Sequence, residues 1–536
     1  MHDPLRTTRL ALAVLTVSGW IGVAPALAQS RAETLRYVTG GVVNTLDPVM
    51  LGGTPEATAL STSTYDRLLR FGRKPAGNGT FVFDYDRIEG ELAERYDVSP
   101  DGLTITLHLR PTATWQDGSP VTADDVKWSL DRAVSAPSMS KAQVGTGSLT
   151  SPDQFRRVDD HTVQIRLERA DRLALPNLAT TYLPMYNSKL AKQHATAEDP
   201  WAGAWLKDHT ASGGAYRVQS FEPGKQVVLV RNDRWANGPR PAFARVILQT
   251  IPEATTRANL IERGDADLSI GLQGEDLKAL ERSSAVRVAA TPMPTGFGAL
   301  IFNTQKAPFD QPLVRQALAL ALPYDGLFGA ALDGRGARLY GASWTGEPPT
   351  ADFPQPLPLR TDLALARTKL AEAGYPNGFA TTLAYSVSRA AFADPAASLI
   401  QEAFGKIGVA VKIDKMADAQ FAAAVTDKTL PMLLERSLAL FPSTEYFFRI
   451  FMSGPSRWNF SSWKNAEVDA LLPQARYEPD QAKYDALARK LIGIAADQVP
   501  MAMIWKPSYD VVMNKSITGF TTWYNYYPDL RDLRRE

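Results

Sequence analysis

Two tetrads in this chain have the spacing of a serine nucleophile with a lysine base: Ser138-Met139-Ser140-Lys141 and Ser461-Ser462-Trp463-Lys464. When the serine opens a helix, a lysine three residues on lies one turn away and can take its proton. Residues 135–155, around the first tetrad, are rich in Ser, Gly, Pro and Thr without periodicity and read as loop. Neither tetrad has the S-x-N or K-T-G companions of that chemistry, and the string is short enough to recur by chance. No G-x-S-x-G, H-E-x-x-H or Walker A string is present. Of the five histidines, His2 belongs to the leading segment, and His108, His161, His194 and His209 show neither i,i+4 nor H-x-H spacing. A histidine metal site is therefore unsupported. No reaction, metal or cofactor is expected, and an exported serine hydrolase stands as the rival class.

The elements around these residues are more informative. In residues 92–130, Leu103, Ile105, Leu107 and Leu109 alternate with Thr104, Thr106, His108 and Arg110, the period of a strand with one wet face. Pro100-Asp101-Gly102 precedes it as a turn and Gln116-Asp117-Gly118 follows as another. Thr122 with Asp125 three residues later resembles a capping box, and Val126, Leu130 and Val134 give the helix after it a buried stripe. Further strands are expected over Leu35–Val38 and Thr162–Glu168, and a hairpin about Glu222-Pro223-Gly224-Lys225. Helical spacing runs through Ala57, Leu60 and Thr64 to Leu68, and again from Ala254 to Arg263, stopped by Gly264. The proline-rich residues 341–360 read as a surface loop. Asp362 caps a helix ending at Gly374, and from Pro395 a helix, the strand Val409–Ile413 and the helix after Asp418 alternate as βαβ units do.

At 536 residues the chain is too long for one core. It carries 58 basic and 57 acidic residues, and a net charge near zero argues against nucleic acid or an anionic membrane as partner. Arg6 and Arg9, the apolar run from Leu10 through Val23, and Ala26-Leu27-Ala28 have the layout of a secretory signal peptide cleaved after Ala28. Ser18-Gly19 and Pro25 break the run short of the roughly 20 apolar residues of a spanning helix. Cysteine is absent, so the exported protein has neither disulfides nor a lipid-anchoring cysteine, and a free periplasmic location is expected.

Residues 92–130 as a whole resemble the signature segment of the family 5 solute-binding proteins of ABC importers, the peptide, opine and nickel binders. The matched positions include Trp115, Asp117-Gly118, Pro120, Thr122-Ala123 and Asp125-Val126. Similar stretches recur: VNTLDPV from Val43, ASGGAYRVQSFEPGKQVVLVRN from Ala211, FNTQKAPFDQPLVRQALALAL from Phe302, AEAGYPNGF from Ala371 and NFSSWKNAEVD from Asn459. The resemblance implies an α/β, two-lobe periplasmic-binding-protein fold with an additional subdomain inserted in lobe I. Residues 29–60, 210–290 and 506–536 are then lobe I, 61–209 the subdomain, and 291–505 lobe II. A small-molecule or peptide-like ligand would be trapped by hinge closure and delivered to an inner-membrane ABC permease, with the binder a monomer.

The same resemblance assigns the ligand contacts. Gly40, Asn44 and Thr45 fall on the loop that passes the cleft in lobe I, and Tyr182 on a segment by its mouth. Arg389 falls near the arginine that pairs a ligand carboxylate in dipeptide binders, and a solvated loop arginine is the alternative. Peptide binders place W-x-x-D-Y in lobe II, its aspartate holding the ligand ammonium. Here the stretch reads RSLALF, which puts Ser437 at the tryptophan, Leu440 at the aspartate and Phe441 at the aromatic. The ammonium clamp is missing. Strand alternation turns Arg436 and Leu440 to one face and Glu435 to the other. The pocket is therefore expected to prefer a ligand that is apolar or anionic at that end. A peptide or modified-peptide binder whose amine meets Glu435 or Glu445 is the alternative. Trp505 and Trp344 are candidate stacking surfaces.

Overall fold

The computed structural model describes residues 31–272 and 274–536, so the expected signal peptide lies outside the described residues. Two large sheets organise the chain. The first has seven strands in the order Val286–Pro292, Ser508–Asn514, Leu268–Ile270, Thr34–Thr39, Arg245–Thr250, Gln226–Arg231 and Tyr216–Glu222. The second has six: Ala337–Arg338, Met501–Lys506, Gly296–Phe302, Met432–Leu438, Ala380–Ser386 and Ala410–Met416. They are the centres of lobes I and II. The chain passes between them twice, from Pro292 to Gly296 and from Lys506 to Ser508, and Met293 N–H donates to Pro507 C=O at 2.8 Å, so the two crossovers lie side by side as one hinge.

A separate four-stranded sheet, in the order Ala93–Val98, Thr104–Leu109, Thr162–Arg166 and Phe155–Asp159, forms the subdomain. Ile105, Leu107 and Leu109 are buried on its inner face, as the alternation requires. The helix Ala123–Ser135 packs beneath it, burying Val126, Leu130 and Val134. Asp125 explains why the signature has its spacing. Its buried carboxylate accepts from Thr122 N–H at 3.0 Å, Trp115 Nε1 at 3.2 Å, and Ser188 N–H and Oγ at 3.0 and 2.6 Å. One helix turn on, Ser129 Oγ accepts from Tyr186 N–H at 2.9 Å, and Arg132 pairs with Asp47 of the Leu46-Asp47-Pro48 turn at 2.6 Å. Stretches that lie far apart in sequence are thus one buried hydrogen-bonded unit.

Several expectations need correction. The helix beginning at Pro55 ends at Thr64, not Leu68. Tyr65 is extended, and Asp66 beyond it is drawn into bonds from Trp235 Nε1 and Asn237 Nδ2, 2.9 and 2.7 Å long. Within 135–155, Met139–Gly145 is a helix. It faces inward with Ser140 and Val144, and Ser140 Oγ bonds Tyr182 C=O at 2.6 Å; a polar inward residue hides the helical period. Residues 341–360 form a loop without helix or strand, but not one that lies on the surface throughout: Phe353, Leu357 and Leu359 are buried, Phe353 with its ring 4.7 Å from that of Phe447. The helix expected from Pro395 starts at Ala390.

Candidate ligand-binding cleft

The strands Ala380–Ser386, Ala410–Met416 and Met432–Leu438 run parallel, so their carboxyl ends share one edge of lobe II, the edge where Gly296 enters from the hinge. In lobe I the parallel strands Thr34–Thr39, Arg245–Thr250 and Leu268–Ile270 likewise end toward the crossover strand that begins at Ser508. Loops beyond the carboxyl ends of parallel strands are where α/β sheets bind ligands. Both lobes turn that edge to the hinge.

On the lobe II edge, Arg389 closes a short helical turn, Val387–Arg389, after the first of these strands, and its Nη2 lies 3.0 Å from Glu435 Oε1. Glu435 is buried, and its carboxylate also accepts Arg436 N–H at 2.8 Å. Burial raises the Glu435 carboxyl above the usual carboxylate range, and Arg389 opposes this. The guanidinium of Arg436, half-buried, lies 5.2 Å above the Phe392 ring and has no hydrogen bond or ion pair among the described residues. Burial, and then the neighbouring Arg389 charge, lower its pKa. Asp510 across the hinge is the lobe I carboxylate it feels, but Asp510 is held by Arg335 at 3.3 Å and Ser508 at 2.9 Å. Arg436, Gly298 and Trp505 stand opposite one another in adjacent strands. Trp505 is fully buried with its Nε1 against Gly298, where an added Cβ would come within 2.0 Å, and Phe392 meets it edge-on. Trp505 is therefore a wall behind Arg436, enclosed by protein. Phe441 is also enclosed, against Tyr85 and Tyr446, whereas Ser437 and Leu440 stay partly exposed, as does Trp344.

Glu435 and Glu445, the two candidates for a relocated amine site, are both engaged: Glu435 by Arg389, and Glu445 by Arg449 at 2.6 Å. In lobe I, Asn44 closes its own loop, accepting from Thr54 N–H at 3.0 Å and donating to Gly52 C=O at 2.9 Å. Thr45, fully buried, donates to Lys207 C=O at 3.1 Å. Gly40 passes so close to Arg257 that a Cβ would lie 2.9 Å from its Nη1. Tyr182 is half-buried, its phenol pushed up by burial and by Tyr524 nearby. A cavity of about 460 Å³ opens between the subdomain and lobe II, with Tyr85, Asp171 and Arg172 on one side and Asp352, Ser443 and Tyr484 on the other. Sequence reasoning missed it, because its walls carry no local pattern.

The serine–lysine tetrads do not assemble. Ser138 directly precedes a helix after all, but its Oγ is buried without a partner and Lys141 is exposed; Ser461 Oγ donates to Asn459 and Lys464 is exposed. Among the described residues no group of three His, Cys, Asp or Glu is placed to hold a metal, and no helix is long and apolar enough to cross a membrane.

A hinge of two crossovers, sheet edges facing it and side chains suited to grasping a solute define a two-lobe solute-binding protein. The model of the bacterial extracellular solute-binding proteins, family 5, matches residues 87–459, and the chain belongs to that family. It is similar to the probable D,D-dipeptide-binding periplasmic protein DdpA of Escherichia coli K12, 28% identical over 89% of each chain. Among solved structures it is similar to the periplasmic binding protein DppA of Helicobacter pylori in complex with the peptide STSA, with TM-score 0.75, 23% identity, and 94% of this chain and 98% of that one covered. AgaA from A. tumefacien R10, in complex with agropinic acid, matches with TM-score 0.73, 22% identity, and 94% and 99% coverage. The chain is the substrate-binding component of an ABC importer, and its family is one of binding proteins, not enzymes.

Proposed function

We propose that this protein captures, between its lobes, a small solute bearing a carboxylate or a comparable anion, and hands it to its permease as a monomer exported by a signal peptide cleaved after Ala28. The observation that carries the reading is Arg436: a half-buried guanidinium at the cleft edge with no hydrogen bond or ion pair among the described residues. An unpaired cation out of bulk water is unfavourable, and a ligand anion relieves it with charge-assisted hydrogen bonds. Arg389, tied to Glu435, sits beside it as a second donor and holds the anion in place. Gly40, Asn44 and Thr45 shape the facing loop, while Tyr182, Ser437 and Leu440 border the ligand's body, with Trp505 the rigid backing. Closure then follows because the ligand meets both lobes only when they are shut.

Relatives with a peptide and with agropinic acid in the same fold support a ligand that presents an acid. The engagement of Glu435 and Glu445 speaks against the relocated amine site. A thermal-shift screen of the purified protein tests this, since a ligand of the native state raises the midpoint. N-blocked peptides and organic acids are expected to raise it, and their amides to do so far less. Tight binding of free-amine dipeptides alone would refute the proposal.

A further inference from the structure

Several arginines in this molecule reach across to another lobe, and three of them, Arg476, Arg172 and Arg335, make all their side-chain hydrogen bonds and ion pairs there. Arg476 ends the lobe II helix Ala466–Arg476, yet it makes no hydrogen bond or ion pair within lobe II. Its Nη2 lies 2.7 Å from Asp171 Oδ2 in the subdomain, and it donates further to Thr146 C=O and Ser148 Oγ, both at 3.1 Å. Asp171 is fully enclosed at its side chain. Arg172, the next residue, reaches the opposite way. It donates to Glu478 C=O at 2.9 Å and to Gln481 Oε1, and its guanidinium lies 4.1 Å above the Tyr484 ring of lobe II. At the hinge, Arg335 of lobe II pairs with Glu281 and Asp510 of lobe I, and Lys278 of lobe I with Asp333 of lobe II at 3.1 Å.

We infer that Arg476, Arg172 and Arg335 form a latch that holds the protein closed before any solute arrives, and that the inserted subdomain is one of the two closing jaws. The seam is built for parting. A cavity of about 460 Å³ interrupts its contacts, which combine these polar bonds with an apolar one where Tyr85 and Phe441 meet with ring centres 6.2 Å apart. An incompletely packed seam between lobes costs less to part than a filled core. An arginine that bonds only across it has no work to do in the open form, so it biases the opening equilibrium without holding either lobe together. The latch residues act on affinity at a distance. A tenfold drop in the closed fraction weakens capture about tenfold, whichever solute is bound.

The inference rests on the two-lobe reading, and its test needs no ligand. The chain has no cysteine, so Arg156→Cys in the subdomain and Lys412→Cys in lobe II, both exposed, give a unique spin-labelled pair for distance measurement in the full mature protein. Without ligand, a dominant short distance is expected. Arg476→Met and Arg172→Met are each expected to move most of the population to a longer one, with only the small drop in melting temperature that loss of the closed state carries. Should Arg476→Met fold poorly, Arg172→Met gives the same reading. Identical distributions in the variants and the unsubstituted protein, or a long distance alone in the latter, would overturn the latch. Neither result touches the anion site, which the thermal-shift screen judges by itself.

Discussion

At the scale of single residues, Arg436 and Gly298 stand opposite each other on the lobe II edge under opposite requirements. Arg436 has no hydrogen bond or ion pair among the described residues, so Arg436→Met is expected to weaken binding of an acidic ligand by tenfold or more, as charge-assisted bonds of about 1.5–3 kcal/mol are lost, with little change in melting temperature. Titration calorimetry reads the first and thermal unfolding the second; a large stability loss at full affinity would show Arg436 to be structural. Gly298 has the reverse character. Its bare Cα gives the buried Trp505 ring its place, and a Cβ would stand 2.0 Å from Nε1. Gly298→Ala is expected to lower stability by about 2 kcal/mol, the usual scale of overpacking, measurable as a shift in the urea midpoint. Neither role is visible from the residue's neighbours in sequence, since Arg436 and Gly298 meet only through strand register.

At the scale of elements, the signature segment is legible because most of its physics is local. The turn at Pro100-Asp101-Gly102, the alternation from Leu103 and the start of the helix at Ala123 lie within reach of their own neighbours, and the structure has all three. The capping aspartate proved to do more than cap, since it also joins Trp115 and Ser188. Asp125→Ala leaves several buried donors unpaired, and a loss of about 3 kcal/mol or more is expected in chemical denaturation. The short helix Met139–Gly145 escaped notice for the opposite reason: seven residues with a polar inward side chain offer too few turns to show a period.

At the scale of the whole molecule, the C-terminal tail is tied back by buried charge. Arg531 reaches Glu91 at 3.3 Å and Asp529 at 2.7 Å, Arg67 holds Glu91 at 2.7 Å, and Asp66 lies in the same network. Glu91, although buried, is held down to about 2, chiefly by Arg531 and then Arg67. Its folded value is below the unfolded one, so its contribution is present above about pH 4.5 and disappears as pH falls toward 2. Burial pushes Asp66 up to about 6, helped by the Glu91 charge. That contribution runs the other way, complete below about pH 4 and lost as pH rises through 6. The melting temperature of Asp66→Asn, measured from pH 4 to 7, is therefore expected to gain on the unsubstituted protein as pH rises, and equal slopes would reject the assignment.

From the amino-acid order alone came the strands, caps and turns of residues 92–130, the neutral charge balance, the lack of cysteine and a family resemblance strong enough to imply two lobes and a hinge. All of these rest on residues a few positions apart or on motifs matched in series. Only the tertiary structure decided that Glu435 is bound to Arg389, that Arg436 stands unpaired, that Trp505 is walled in, and that Arg476 and Arg172 trade places across the seam. Arg476 and Asp171 are 305 residues apart, and Glu435 meets Arg389 from a different strand of the sheet. Such pairs leave no period in the chain, because what brings them together is the packing of separate strands and lobes.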